Sequence, residues 1–295
     1  MASTPTILVT GATSGIGELA TIELARRGAH IIFTARDEAK AIATRAAIKA
    51  AAPDARIDIH YADFASLDDV AEMAHQISSN YERIDVLINN AGLHAFEQRI
   101  TVDGFSEMVA VNYLAPWLLT NILREKLVGS APSRIVTVAS EASRRGGDLI
   151  PRRDICNTAP FTRLGSSTVY GKTKLMDIMF SMELARQLQG TGVAVNCLCP
   201  GFNVTGLGRE LGFAATLERV LKGLNIGNPQ RGASIIVRLA IDPAFDHVSG
   251  GYFSVKDAKP LMPAGVGSDI SAQQALWSVT SELLSERTAA ALGKR

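Results

Sequence analysis

Apolar and polar positions along this 295-residue chain alternate between two periods. Short β-branched runs, apolar nearly throughout, take turns with longer stretches of helical period. "TILVTG" (6–11) predicts a strand, and "GIGELATIELARRG" (15–28) a helix ended by a glycine. "HIIFTAR" (30–36) is the next strand, followed by an alanine-rich helix over 37–52 that Pro53 halts. A third strand over 55–63 leads to a helix over 66–81 with Ser66 as its N-cap. "IDVLINNAG" (84–92) is a fourth strand, and a long helix covers about 103–127. "RIVTVAS" (134–140) is the fifth strand, a helix runs over about 166–189, and "VAVNCLCPG" (193–201) is the sixth. A helix around 230–241 precedes "GGYFSVK" (250–256), a candidate last strand.

Strands apolar throughout and separated by helices are strands buried on both faces. The expected fold class is α/β: a doubly wound, Rossmann-type parallel sheet with helices on both faces, formed as a single domain over 1–295. The spacing between strands suits right-handed crossovers. Such sheets bind ligands beyond the C-terminal ends of their strands. Two stretches break the alternation, an insertion over about 141–165 and a C-terminal extension over about 257–295.

Composition narrows the partners. Hydrophobic residues make up 47% of the chain and charged residues 20%, the balance of a globular protein. A net charge of +1 gives no charge excess to argue for nucleic acid. Of the three cysteines, Cys197 and Cys199 share one strand and face the same side, so they read as core thiols and not as a metal site. The N-terminus shows no secretory pattern, and no apolar run is long enough to span a bilayer. The expectation is a soluble cytoplasmic protein with no membrane span.

"TGATSGIG" follows the first strand and opens a helix. Gly11 allows a tight turn, Gly15 lets the backbone approach a pyrophosphate, and Gly17 lets the helix pack on the sheet. Thr13, Ser14 and Ile16 complete the turn. The helix N-terminus then offers free N–H groups to phosphates. Arg36 ends the second strand, where an acidic residue would take the ribose hydroxyls of NAD and an arginine takes the 2′-phosphate of NADP. A solvated arginine at a helix start is the plainer reading. NADP(H) is the expected cofactor. Asp63, with Phe64 beside it, ends the third strand and would accept a hydrogen bond from the adenine amino group. Asp37 reads as an acid at a helix N-terminus.

Further residues fall into order behind the glycine turn. "NNAG" (89–92) ends the fourth strand, Asn112 lies in "VNYLAPWLL", Ser140 closes "VTVAS", Tyr170 and Lys174 form "YGKTK", and "PG" (200–201) ends the sixth strand. This series resembles the short-chain dehydrogenase/reductase family over at least residues 6–255. It is most similar to the branch of retinol dehydrogenases, protochlorophyllide reductases and related carbonyl reductases. "TVDGFSEMVAVNYLAPWLLT", "SMELARQLQGTGVAVNCLCPG", "QQALWSVTSELL" and the long separation of Ser140 from Tyr170 carry that likeness.

The resemblance implies a catalytic set of Asn112, Ser140, Tyr170 and Lys174. Tyr170 would exchange a proton with the substrate oxygen, which its chemistry permits once Lys174 lowers the phenol from its ordinary pKa of about 10. Ser140 would orient the substrate oxygen, and Asn112 would hold a water linking Lys174 to solvent. Lys174 would also hold the nicotinamide ribose. The resemblance further implies cofactor contacts at Asn89, Ala91 and Gly92 on the adenosine side, and at Pro200, Gly201 and Thr205 around the nicotinamide amide. Family dimers and tetramers pair through the helices that carry Asn112 and Tyr170, so this chain is a monomer or a homo-oligomer.

The chain departs from the family at two places. Ala139 stands where many relatives have the first of two serines, and Pro116 removes a helix hydrogen bond just past Asn112. The pocket should be lined by Leu93, His94 and Phe202, with Leu207, Leu211 and Phe213 nearby. Apolar residues there imply a lipophilic carbonyl or alcohol as substrate. The expected function is NADPH-dependent reduction of a lipophilic ketone or aldehyde. The alternatives are reduction of a ring double bond on the same fold and a non-catalytic NADP(H) sensor. "YFSVK" repeats the Tyr-x-x-x-Lys spacing at Tyr252 and Lys256. On a strand four residues span roughly 13 Å, so that pair need not meet. On a helix the rise is only ~6 Å, and Tyr170 and Lys174 share a face.

Overall fold

Seven parallel strands form the sheet of the computed structural model, in the order β3-β2-β1-β4-β5-β6-β7. The structure describes residues 4–201 and 228–292. The strands are β1 (Thr6–Val9), β2 (His30–Ala35), β3 (Ile57–Tyr61), β4 (Val86–Asn89), β5 (Ser133–Val138), β6 (Val193–Cys199) and β7 (Tyr252–Ser254). The candidate last strand is therefore real, and it pairs parallel to β6. The helices on the first half are α1 (Gly15–Arg26), α2 (Glu38–Ala51) and α3 (Leu67–Asn80). Then follow α4 (Glu107–Val109), α5 (Ala115–Ile122), α6 (Arg124–Gly129), α7 (Pro151–Ile155), α8 (Arg163–Gln187), α9 (Pro229–Ile241) and α10 (Ile270–Leu292).

Successive strand residues point to opposite faces, and both faces are covered. Leu8, Ile32, Leu87, Ile135 and Val195 bury against α3, α5, α8 and α10. Ile7, Val9, Ile31, Phe33, Ile88 and Val136 bury against α1, α2 and α9. That two-sided burial is why the strands read as unbroken apolar runs. Cys197 and Cys199 are buried together beside Ala139, Ile178 and Tyr252, as two residues on one face of β6 should be.

Several boundaries differ from the sequence pattern for local reasons. The helix expected over 103–127 is broken into pieces. An antiparallel bridge between Ile100 and Ser106 closes a turn over 101–105 ahead of α4, and a π turn (Ala110–Leu114) separates α4 from α5. Pro116 has no N–H to give to the carbonyl one α-turn back, and the widened turn, with the Ala115 N–H on the Ala110 carbonyl, absorbs the loss. Helix α8 begins at Arg163 because the Thr162 side chain accepts the Gly165 N–H at 3.1 Å. Ser66 caps α3 as expected. Among the described residues no helix is long and apolar enough to cross a membrane.

Candidate active site

The sheet order reverses between β1 and β4, and a cleft of about 470 Å³ opens above that point. Its floor is the glycine turn. Gly11 and Gly15 adopt φ of +66° and +61°, and a Cβ on Gly17 would lie 2.3 Å from the Gly11 carbonyl oxygen. Ser14 precedes α1 without a side-chain hydrogen bond to its first turn. The leading N–H groups and positive end of the helix are thus left to the cleft, which Thr13, Ser14 and Ile16 line with the three glycines. The cradle leaves no room for a side chain and suits a pyrophosphate.

Residues 89–92 close one side of this floor, with a change of partner from the expected one. Asn89 ends β4 with its side chain turned into the core, where its amide donates to Thr120 Oγ1 at 2.9 Å. The cleft is lined instead by Asn90, Ala91 and Gly92. Strand alternation sends neighbouring side chains to opposite faces, and the cleft lies on the face of Asn90. The Asn90 amide donates to the Thr10 and Gly11 carbonyls at 2.9 and 3.0 Å. The Asn90 and Ala91 N–H groups both donate to Thr10 Oγ1. Asn90 and Thr10 therefore brace the glycine turn. The doubled asparagine was the only sign of this in the sequence.

At the far end of the cleft Arg36, Asp63 and Phe64 stand together. The Arg36 guanidinium is 66% exposed, and its Nη1 lies 3.6 Å from Asp63 Oδ1. Asp63 Oδ1 also accepts the Ala65 N–H at 3.0 Å. Asp37 caps α2 by accepting the Lys40 N–H at 2.8 Å, as its position in the chain predicts.

The opposite end holds Ser140, Tyr170 and Lys174. Ser140 follows β5, and its Oγ accepts the Ala142 N–H at 3.1 Å, starting a short helical turn over Glu141–Arg145. A Cβ on Gly171 would lie 2.6 Å from the Ala142 carbonyl oxygen, so glycine lets that turn seat on α8 right beside Tyr170. Burial pushes the Tyr170 phenol up. Lys174 works against that shift, and so, more weakly, does a hydrogen bond with Ser140. Lys174 pulls as expected, but in this arrangement desolvation wins. The Lys174 ammonium is buried, 5.9 Å from the centroid of the Tyr170 ring, and donates to the Val138 carbonyl and to Asp177 Oδ2, both at 2.9 Å. Asp177 did not stand out in the sequence.

Asn112 lies in the π turn, buried behind the cleft wall. Its Oδ1 accepts the Leu93 N–H at 2.8 Å, and its amide donates to the Leu93 carbonyl and Thr173 Oγ1 at 2.9 and 3.0 Å. It ties the end of β4 to α8. Leu93 and His94 line the cleft. The His94 ring stacks on Tyr170 with centroids 4.8 Å apart, and its Nε2 lies 3.0 Å from Ser166 Oγ. Pro200 and Gly201 also line it, while Phe202, Thr205, Leu207, Leu211 and Phe213 lie outside the described residues. Tyr252 is buried on β7 and donates to Glu141 Oε1 at 3.0 Å, and Lys256 is exposed in the turn beyond. The second Tyr-x-x-x-Lys string is no pair.

The chain and its fold are similar to known proteins. The short chain dehydrogenase family model matches residues 5–151. Human retinol dehydrogenase 13 is 36% identical over 288 residues, covering 95% of this chain and 84% of that protein. Mouse retinol dehydrogenase 14 is 35% identical, covering 95% and 85%. The chain belongs to the short chain dehydrogenase family. As a member it is an oxidoreductase, and the family match spans the glycine turn, Arg36, Asp63, Asn112 and Ser140. Solved structures agree. An uncharacterised protein from Mycobacterium Paratuberculosis superposes with a TM-score of 0.74 at 25% identity, covering 95% of this chain and 92% of that one. A Beutenbergia cavernae structure with bound NADP, assigned as an NAD(P) dependent gluconate 5-dehydrogenase, has a TM-score of 0.67 at 27% identity, covering 86% and 96%.

Proposed function

We propose that this dehydrogenase reduces a lipophilic ketone or aldehyde with NADPH, and runs in reverse as an alcohol dehydrogenase. One observation carries the reading: Ser140, Tyr170 and Lys174 share a single cleft with the glycine turn and Arg36. A proton donor and a seat for a phosphorylated dinucleotide are thereby joined. Bound NADPH would supply the hydride. Ser140 orients the substrate oxygen, Tyr170 gives it a proton, and the Lys174 ammonium steadies the phenolate left behind. Arg36 takes the 2′-phosphate, and its charge answers that group better than ribose hydroxyls. Asn112 holds the wall that positions Leu93 and α8. Thr205 and Phe202, outside the described residues, are assigned to the nicotinamide amide and the substrate from the family resemblance alone.

The lipophilic substrate is supported by the apolar side chains of Leu93 and Val138, which line the same cleft as Tyr170. Retinol dehydrogenases among the relatives agree with such a substrate class.

Purified protein with NADPH and a panel of lipophilic carbonyls is expected to lose the reduced-nicotinamide absorbance, and Tyr170→Phe is expected to cut turnover by about 10²–10⁴-fold with cofactor affinity retained. No turnover in either direction across the panel, with cofactor bound, overturns the reading in favour of a sensor or another reaction.

A further inference from the structure

The Lys174 ammonium has a second anion beside it that the proposed reaction does not use. Asp177 sits less than one turn further along α8 and is 1% exposed. Its Oδ2 accepts from Lys174 Nζ at 2.9 Å, and its Oδ1 has no hydrogen-bond partner among the described residues. Burying a carboxylate with one oxygen unpaired is costly, and a neutral side chain of the same shape would fill the space more cheaply.

The geometry points to Asp177 as a positioning residue for proton transfer in the proposed reaction: by sharing the Lys174 ammonium, it keeps the Tyr170 hydroxyl protonated and ready to donate to a carbonyl. This deepens the carbonyl-reductase reading and rests on it. With Tyr170 protonated, Lys174 and Asp177 form a neutral buried pair. When Tyr170 gives up its proton, two anions must share one cation. The phenolate is therefore less stable than it would be beside Lys174 alone. Carbonyl reduction places a hydride on carbon and the Tyr170 proton on oxygen, and the phenolate then regains its proton from solvent. Alcohol oxidation needs the phenolate first and is held to higher pH.

Of the groups around this set, His94 stacks on the Tyr170 ring with its Nε2 3.0 Å from Ser166 Oγ. Tyr113 from the π turn is fully buried and hydrogen-bonded to Thr280 of α10, and burial pushes its phenol up. Cys197 and Cys199 on β6 are held as thiols by burial. Val138 of β5 offers only its carbonyl. Tyr252 of β7 is directed at Glu141, and Glu141 itself pairs with Arg144. Burial pushes the Asp177 carboxyl up to about 6, with the Lys174 charge and hydrogen bond opposing, so it carries its charge above that pH.

The test is an absorbance titration of tyrosinate in the presence of NADP⁺, with the Tyr170→Phe protein subtracted to isolate Tyr170. Asp177→Asn is expected to lower the apparent pKa of Tyr170 by about one unit or more, since removing a close like charge shifts a group by that order. The acidic limb of alcohol oxidation should move down with it. An unmoved or raised titration overturns the inference, and Asp177→Ser reads the same quantity if the asparagine variant does not fold. The titration needs no substrate. A shifted titration without turnover in the wild type would overturn the carbonyl-reductase reading and leave the charge coupling standing. Turnover with an unmoved titration would do the reverse.

Discussion

Arg36 shows how far one residue can be read from its place in the chain. It directly follows β2, lines the cleft, and its guanidinium is 66% exposed with Asp63 as its neighbour. The exposed Arg36–Asp63 contact contributes little by itself, so the guanidinium is free to turn toward a phosphate. Arg36→Ala is expected to weaken NADPH about ten- to a hundredfold and leave NADH nearly unchanged, because a charge-assisted contact is worth about 1.5–3 kcal/mol. Fluorescence titration of the two reduced cofactors checks it, and equal losses for both would remove Arg36 from 2′-phosphate recognition. Asn89 shows the opposite case. It belongs to the right motif but faces the core, and Asn90 does the bracing. A one-residue step along a strand reverses the face, and sequence order alone does not say which face looks on the ligand. Asp177 was harder still. A single acid in a helix carries no mark until the fold buries it against Lys174.

At the scale of elements, the insertion over 141–165 is tied down beside α8. Asp154 on α7 is buried, and its carboxylate accepts from Lys172 on α8 at 2.8 Å and from the Ile150 N–H at 2.8 Å. Burial pushes its carboxyl up, but hydrogen bonds from Lys172, Arg153 and Ile150 outweigh that and hold it below the usual carboxylate range. A depressed carboxyl stabilises the fold above its unfolded pKa, and that stability is lost as pH falls through the folded value. Asp154→Asn is expected to cost about 1–3 kcal/mol at neutral pH. The difference in melting temperature from the wild type should shrink below about pH 4, where the wild type also loses the charge. A pH-independent difference would assign the loss to packing. Because Lys172 lies two residues past Tyr170, the variant should also raise KM for the carbonyl. The π turn is the other element that only the structure supplies. Pro116 foretold a missing hydrogen bond, but the turn's widening also sets Asn112 to clasp Leu93 and Thr173.

For the whole molecule, the C-terminal helix α10 decides which surfaces remain open. Trp277 packs against Trp117 of α5 at 5.2 Å and stacks on Phe180 of α8 at 5.8 Å between ring centroids. Thr280 meets the Tyr113 hydroxyl at 2.7 Å, and Glu282 pairs with Arg152 of α7. The family resemblance implies pairing through the helices that carry Asn112 and Tyr170, which α10 packs against, so light scattering is expected to show a monomer. Trp277→Ala should cost about 3 kcal/mol, read by chemical denaturation, since a large aromatic packed on two others is removed. A stable wild-type dimer would show that α10 leaves a pairing surface free.

The chain by itself determined the strand–helix alternation, the parallel sheet, the glycine turn and the order of Ser140, Tyr170 and Lys174. These depend on local periodicity and on residues whose chemistry is tied to a strand end or a helix turn. It also separated the two Tyr-x-x-x-Lys strings, because helix and strand space four residues differently. Only the tertiary structure decided which asparagine faces the cleft, what Asn112 holds, that His94 stacks on Tyr170, that α10 covers α5 and α8, and that Asp177 shares the lysine. Those outcomes come from contacts between residues distant in sequence, or from burial that turns an ordinary side chain into a charge without water. Periodicity records which face of an element is apolar, but not which partner that face will meet.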